Sequence, residues 1–251
     1  MKKIYIIIFA ITIIPNLLFS KENSKNSLKI SYYSNVYNWS TKEFIYTENH
    51  TEFYKNEEHL YSIIEYKYPD RKTFARKKIE FGKKRTQPDF LMEDFRYGYR
   101  DKSVLVNQSS QEFSIEHQRS KDEKVQTKLV QVPGTVVVDG GFDYFIRDDF
   151  DAISKGEVIK GNFLLVNRLD YFQCRVVKTA NVKYRDRDAI VFLLRPENLV
   201  LRAIADKIQV TYDLKTKRLL EYIGVSNLMD NEGKDFPKVK IVFQYPKGFL
   251  D

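Results

Sequence analysis

The stretch "VVVDGGFDYFIRDDFDAIS", Val136 to Ser154, is where the hydrophobic pattern of this chain changes period. Three valines and two glycines lead into Phe142, Phe145, Ile146, Phe150 and Ile153, which recur at steps of three and four and beyond. That spacing puts them on one stripe of a helix, and it predicts an amphipathic helix over 142–155. Gly156 follows where a left-handed C-cap is expected. Asp139, just before the helix, suits an N-cap or turn position, and Asp143 falls in the first turn, where negative charge complements the helix dipole. Arg147 lies four residues from both Asp143 and Asp151, a spacing that supports two solvent-side pairs of about 0.2–0.5 kcal/mol each. Each acid of the segment thus has a structural role. A glycosidase-like reading needs two carboxyls about 5–9.5 Å apart across a cleft. Asp139, Asp143 and, further on, Asp170 are the candidate catalytic residues it would have to use.

On both sides of this segment the period is two. "SLKISYYSNVYNW", "KEFIYTENHTEFYKNEEHLYSIIEYKYPD" and "RKTFARKKIEFGKKR" read as long antiparallel strands rich in Tyr, Phe, Ile and Thr. Beyond it, "EVIKGNFLLVN", "DYFQCRVVKTANVKY", "DAIVFLLRP" and the pieces of Lys207 to Tyr245 are strand-like too, with a tight turn at Asp213 to Lys217. "PENLVLRAIADK" suits a short helix starting at Pro196. The expected fold is α+β and β-dominated: one curved antiparallel sheet, an open half-barrel, with one or two packing helices. Charged residues interrupt the continuous outward apolar band that an outer-membrane barrel requires.

The chain opens with two lysines and an apolar run broken by Pro15, then Ser20. This pattern is that of a secretory signal peptide over residues 1–20, leaving a single β-rich domain over 21–251. The run from Ile4 to Ile14 is shorter than the ~18–20 residues that span a bilayer, and no later segment resembles a transmembrane span. The expected location is the periplasm or the outside of the cell.

Of the chain's formal charge of +8, Arg71 to Arg85 carries +7, eight lysines and arginines against the single acid Glu80. Read with period two, Thr73, Ala75, Lys77, Ile79 and Phe81 share one face, and Phe74, Arg76, Lys78 and Glu80 the other. One explanation is an edge strand guarded by lysines. The other is a platform for an anionic lipid or envelope polymer. It makes Arg76, Lys78, Lys83, Lys84, Arg85 and, by its place beside the helix, Arg168 the candidate ligand-binding residues. Export separates the chain from nucleic acid, so no nucleic-acid partner is expected.

Other chemistry is sparse. Cys174 is the single cysteine, so no internal disulfide can form. It shares a strand face with Phe172 and Val176 and reads as a buried hydrophobe. His50, His59 and His117 show no metal-ligand spacing. "HTEFYKNEEH", which holds two of them, reads as a solvated edge. Neither a metal nor a cofactor is expected.

Residues Gly141-Phe142-Asp143, Phe145 and Arg147, with Arg168-Leu169-Asp170-Tyr171, resemble a GFD-x-F-x-R and R-L-D-[YF] motif of uncharacterised exported proteins of Gram-negative bacteria. The C-terminal "VTYDLKTKRLLEYIGVSNLMDNEGKDFPKVKIVFQY" is similar, more loosely, to the ending of envelope lipoprotein-localisation factors. The second resemblance implies an open curved sheet around helices with a hollow for acyl chains, although no lipobox cysteine is present. The expected function is an exported, non-enzymatic envelope protein that binds a lipid or other amphipathic ligand in that hollow. Two rivals are a hydrolase of envelope glycans acting through Asp carboxylates, and an assembly protein acting through an edge strand.

Overall fold

A computed structural model describes residues 27–198, 207–226, 228–230, 232–234 and 238–250. The signal-peptide segment 1–20 and most of the helix expected from Pro196 lie outside the described residues; Pro196 itself ends a strand.

The N-terminal half is a meander of β1 (Ser27–Asn38), β2 (Phe44–Lys55), β3 (Glu58–Lys67), β4 (Thr73–Glu80), β5 (Asp89–Asp94), β6 (Tyr99–Asn107), β7 (Glu112–Gln118) and β8 (Gln126–Gln131). After the short β9 (Val136–Val138) come helices α1 (Gly141–Asp148) and α2 (Phe150–Ser154). The C-terminal half is β10 (Ile159–Leu165), β11 (Asp170–Tyr184), β12 (Arg187–Pro196), β13 (Ile208–Asp213), β14 (Leu219–Gly224) and β15 (Val239–Gln244). The fifteen strands among the described residues form one sheet in the order β8-β7-β6-β5-β4-β3-β2-β1-β15-β14-β13-β12-β11-β10-β9. Every pairing is antiparallel except β9 with β10, and the sheet does not close: β8 and β9 are its two ends. The β-dominated open sheet with two helices is the architecture read from the sequence.

The sheet coils upon itself. The face of β9 and β10 bearing Val136, Val138 and Leu164 joins the core of the N-terminal half, with Met92, Phe113 and Ile115. Their other face, Val137 and Phe163, backs the helices. The β9 end is therefore tucked inside the curve of the N-terminal strands. Val138 N–H donates to Thr86 O at 2.9 Å, and Lys128 Nζ to Leu169 O at 3.0 Å, closing this coil. Gly141 is required at the crossing, because a Cβ there would lie 2.3 Å from Thr86 O. Parity alone makes this possible: alternate side chains of a strand point to opposite faces, so an apolar strand can serve two cores.

The helical stripe is buried as its spacing predicts. Phe145, Ile146, Phe150 and Ile153 pack with Cys174, Val176, Ile190 and Phe192 in the second core, and Phe142 leans on its margin. The helix is split at Asp149, whose φ of −104° and ψ of 16° leave the helical region. Gly140, not Asp139, occupies the N-cap and offers no side-chain cap. Gly156 has the left-handed φ of +102°. Arg147 pairs with Asp143 at 3.0 Å, whereas Asp151 pairs with Lys217 at 2.9 Å, so the expected ladder of two Arg147 pairs is reduced to one.

Two edge readings are overturned. β4 lies between β3 and β5, deep within the sheet, so its lysines guard no edge. "HTEFYKNEEH" is no solvated edge either, since His50, Glu52 and His59 are buried on the concave face. Simple alternation also fails at two bulges. A register shift between Tyr66 and Lys67 lets Phe74 and Ala75 both be buried. Another opposite Phe53 and Tyr54 ejects Leu60 and turns His59 inward.

Candidate functional site

β2 sends Tyr46, Glu48, His50 and Glu52 into the concave face, a row that alternates with half-buried residues on the other side. Groups placed there need partners, because an unpaired buried charge is costly. Ser34 donates to Glu48 at 2.8 Å and lies 3.3 Å from His50 Nε2. Glu52 accepts from Tyr32 at 2.8 Å, Tyr54 at 2.6 Å and Arg218 at 3.1 Å. Burial is the largest influence on Glu52 and pushes its carboxyl up. Arg218 and the two tyrosine hydroxyls outweigh it together, and the group is held below the usual carboxylate range. His59 hydrogen-bonds through Nδ1 with Tyr144 OH at 2.7 Å and through Nε2 with Ser62 at 2.9 Å. Burial, first, lowers its pKa, with Glu52 opposing.

Further round the curve, Lys77 donates to Asp139 at 2.8 and 3.0 Å, tying β4 to the entry of α1. Asp101 sits between His117 Nδ1, at 2.7 Å, and the hydroxyl of Tyr99. Ser103 is on the same face, but its Oγ makes no hydrogen bond and is fully buried, so this Ser, His and Asp do not form a nucleophilic relay.

The carboxylates singled out in the sequence are distributed rather than gathered. Asp139 is held by Lys77. Asp143 accepts from Arg147 and, at 3.1 Å, from Tyr212 OH. Asp170 is exposed and accepts the N–H of Tyr171, next to Leu169 in a left-handed conformation.

The basic candidates are equally spread. Arg76 pairs with Glu65 at 3.2 Å and Lys78 with Glu80 at 2.7 Å, both on the exposed convex side. Lys83, Lys84 and Arg85 lie in the loop after β4. Arg85 reaches Asp148 at 2.7 Å and stacks 4.2 Å over the Tyr144 ring. Arg168 is exposed at the end of a 3-10 turn, Val166–Arg168. Among the described residues no group of His, Cys, Asp and Glu has the arrangement of a metal site, and no helix is long and apolar enough to cross a membrane.

Among the described residues, the fold forms open pockets that include two at opposite ends of β15. At the end nearer Val239, Ile45, Tyr46, Tyr68, Pro69 and Phe74 wall a pocket of about 450 Å³. Arg96 also lines it, with its charge met by the buried Asp94 at 2.5 Å and its guanidinium 4.3 Å from the centre of the Phe74 ring. Asp230 and Glu232 complete the lining. At the other end, Leu220, Phe243 and Tyr245 wall a pocket of about 410 Å³ that Arg185, Arg187 and Lys247 also line. Among the described residues, no Asp or Glu lines that second pocket. Sequence reading missed both, because their walls come from turns and strand ends far apart in the chain. The one local signal was the aromatic richness of β2 to β4.

No protein-family model and no curated protein matches the chain. Among solved structures, it is similar to a beta-barrel-like protein of the domain of unknown function DUF1849 from Brucella abortus. That likeness has 7% identity and a TM-score of 0.48, over 88% of this chain and 96% of the other. A DUF1329 family protein from Desulfovibrio piger is similar at 11% identity and a TM-score of 0.26, over 90% of this chain and 88% of the other.

Proposed function

We propose that the protein is an exported, non-enzymatic envelope protein that binds the apolar part of a lipid or other amphipathic ligand. The observation that supports this best is the pocket walled by Ile45, Tyr46, Tyr68, Pro69 and Phe74, an aromatic and aliphatic recess open to solvent. The buried acids and bases nearby are committed to one another, which favours binding over proton transfer. Ligand enters at this open end in this reading, because the chain's own side chains occupy the curve of the sheet.

The neutral probe N-phenylnaphthylamine tests the reading. Its fluorescence is expected to rise on binding the purified protein, and to rise severalfold less with Tyr68→Ala or Ile45→Asp, both at half-buried positions. No enhancement, together with no lipid co-purifying by mass spectrometry, would remove the proposal.

A further inference from the structure

We propose that the second pocket, at the C-terminal end of β15, is a separate recognition site for an amphipathic anion, a phosphate or carboxylate head carrying an apolar chain. Four observations converge on it. The walls are apolar: Leu220, Phe243 and Tyr245, the last stacked on Phe249 at 5.4 Å. Among the described residues, the charged lining is cationic, from Arg185, Arg187 and Lys247. Arg187 is already engaged, lying 3.5 Å from Asp213 and donating to Leu250 O at 2.6 Å. Arg185 and Lys247 have no ion pair among the described residues: both are exposed, and Arg185 meets the neutral Gln244 at 3.3 Å and the Tyr184 ring at 5.6 Å.

The geometry explains how these groups meet. Arg185 and Asp186 both have positive φ, +47° and +67°, the two-residue turn that joins β11 to β12. That turn projects Arg185 toward the chain leaving β15, where Pro246 and Gly248 flank Lys247. Two mobile-stemmed cations from different segments over an aromatic wall suit a head that is charged and a tail that is not. Asp230 and Glu232 line the first pocket, so the two ends of the molecule present different charge.

The test is calorimetric titration of the full chain with decyl phosphate, inorganic phosphate and decyltrimethylammonium. Decyl phosphate is expected to bind one to one, with affinity falling at least tenfold in Arg185→Ala/Lys247→Ala and falling with added salt. Tyr68→Ala is expected to leave it unchanged, which separates this site from the pocket of the proposed function. Inorganic phosphate is expected to bind more weakly, because it lacks the tail. Equal affinity for decyltrimethylammonium, an undiminished affinity in the double variant, or no binding of decyl phosphate would each overturn the proposal. Capture by phosphatidylglycerol vesicles would assign the head to a membrane lipid; decyl phosphate binding without capture would assign it to a free amphipathic anion.

Discussion

The two cores of this molecule are built from the same sheet by different means. Around the helices, Val137, Phe145, Ile146, Phe150, Ile153, Cys174, Val176, Ile190 and Phe192 form a packing of nearly pure hydrocarbon and aromatic surface. In the N-terminal curve, apolar residues such as Val36, Met92, Phe113 and Ile115 share the concave face with Glu48, Glu52, His59, Lys77, Asp101 and His117. The dry core gains from area removed from water. The wet one depends on each charge keeping its partner, since a half-satisfied buried network is worse than none. The first tolerates pH and resents lost volume; the second tolerates neither lost partners nor acid.

Five measurements break or sharpen that contrast. The largest effect is expected from Phe192→Ala, which empties the centre of the dry core and should cost about 3–5 kcal/mol in guanidinium unfolding. Next comes Lys77→Met, which removes the ion pair of the half-buried Asp139 and should cost about 3 kcal/mol. Adding Asp139→Asn should restore at least half of that loss, because Asn tolerates the φ of +37° at this turn and removes the charge that Lys77 meets. If the double variant is as unstable as the single one, the pair is not what holds β4 to α1.

A pH effect follows from His59. Unfolded, it takes up a proton near its ordinary value of about 6.5. Folded, burial foremost holds its pKa lower. Just below the ordinary value the unfolded state therefore binds more protons, and stability falls as pH falls. Asp101 opposes this in the carboxylate range: burial foremost raises its pKa, so there the folded state binds more protons. The difference between wild type and His59→Gln isolates the histidine. Their denaturation midpoints should diverge less at pH 5.5 than at pH 7.5. Cys174, in the dry core, should stay unreactive to thiol reagents across this range, since burial pushes its thiol up to about 12. The smallest effect is expected from Asp151→Asn, which removes an exposed pair with Lys217 and should change stability by under about 0.5 kcal/mol.

The helix stripe, the face of Cys174, the turn at Asp213 and the β-dominated open sheet were legible in the sequence. Each is written locally, in a period of a few residues or in one turn. Asp213, for example, accepts the N–H groups of Lys215 and Thr216 within its own loop. The basic stretch was misread only as an edge, because strand order is not written locally; Arg76 and Lys78 do face outward and Lys77 inward, as the alternation has them. His50 and His59 were misread for another reason. Charge and polarity on a strand suggest solvent, yet inward residues of β2 and β3 meet Tyr144, Arg218 and Ser226, more than eighty residues later in the chain. The bulges at Leu60 and Phe74 added to this, since one extra residue reverses the parity on which a face assignment depends.

By itself, then, the order of residues determined the elements and their apolar faces, because hydrophobic period and turn chemistry act over a few bonds. Only the tertiary structure decided which polar groups are interior and which pockets exist. Glu52 meets Arg218, and Arg185 comes near Lys247, through the coiling of a sheet, and no local pattern encodes a meeting between residues so far apart in the chain.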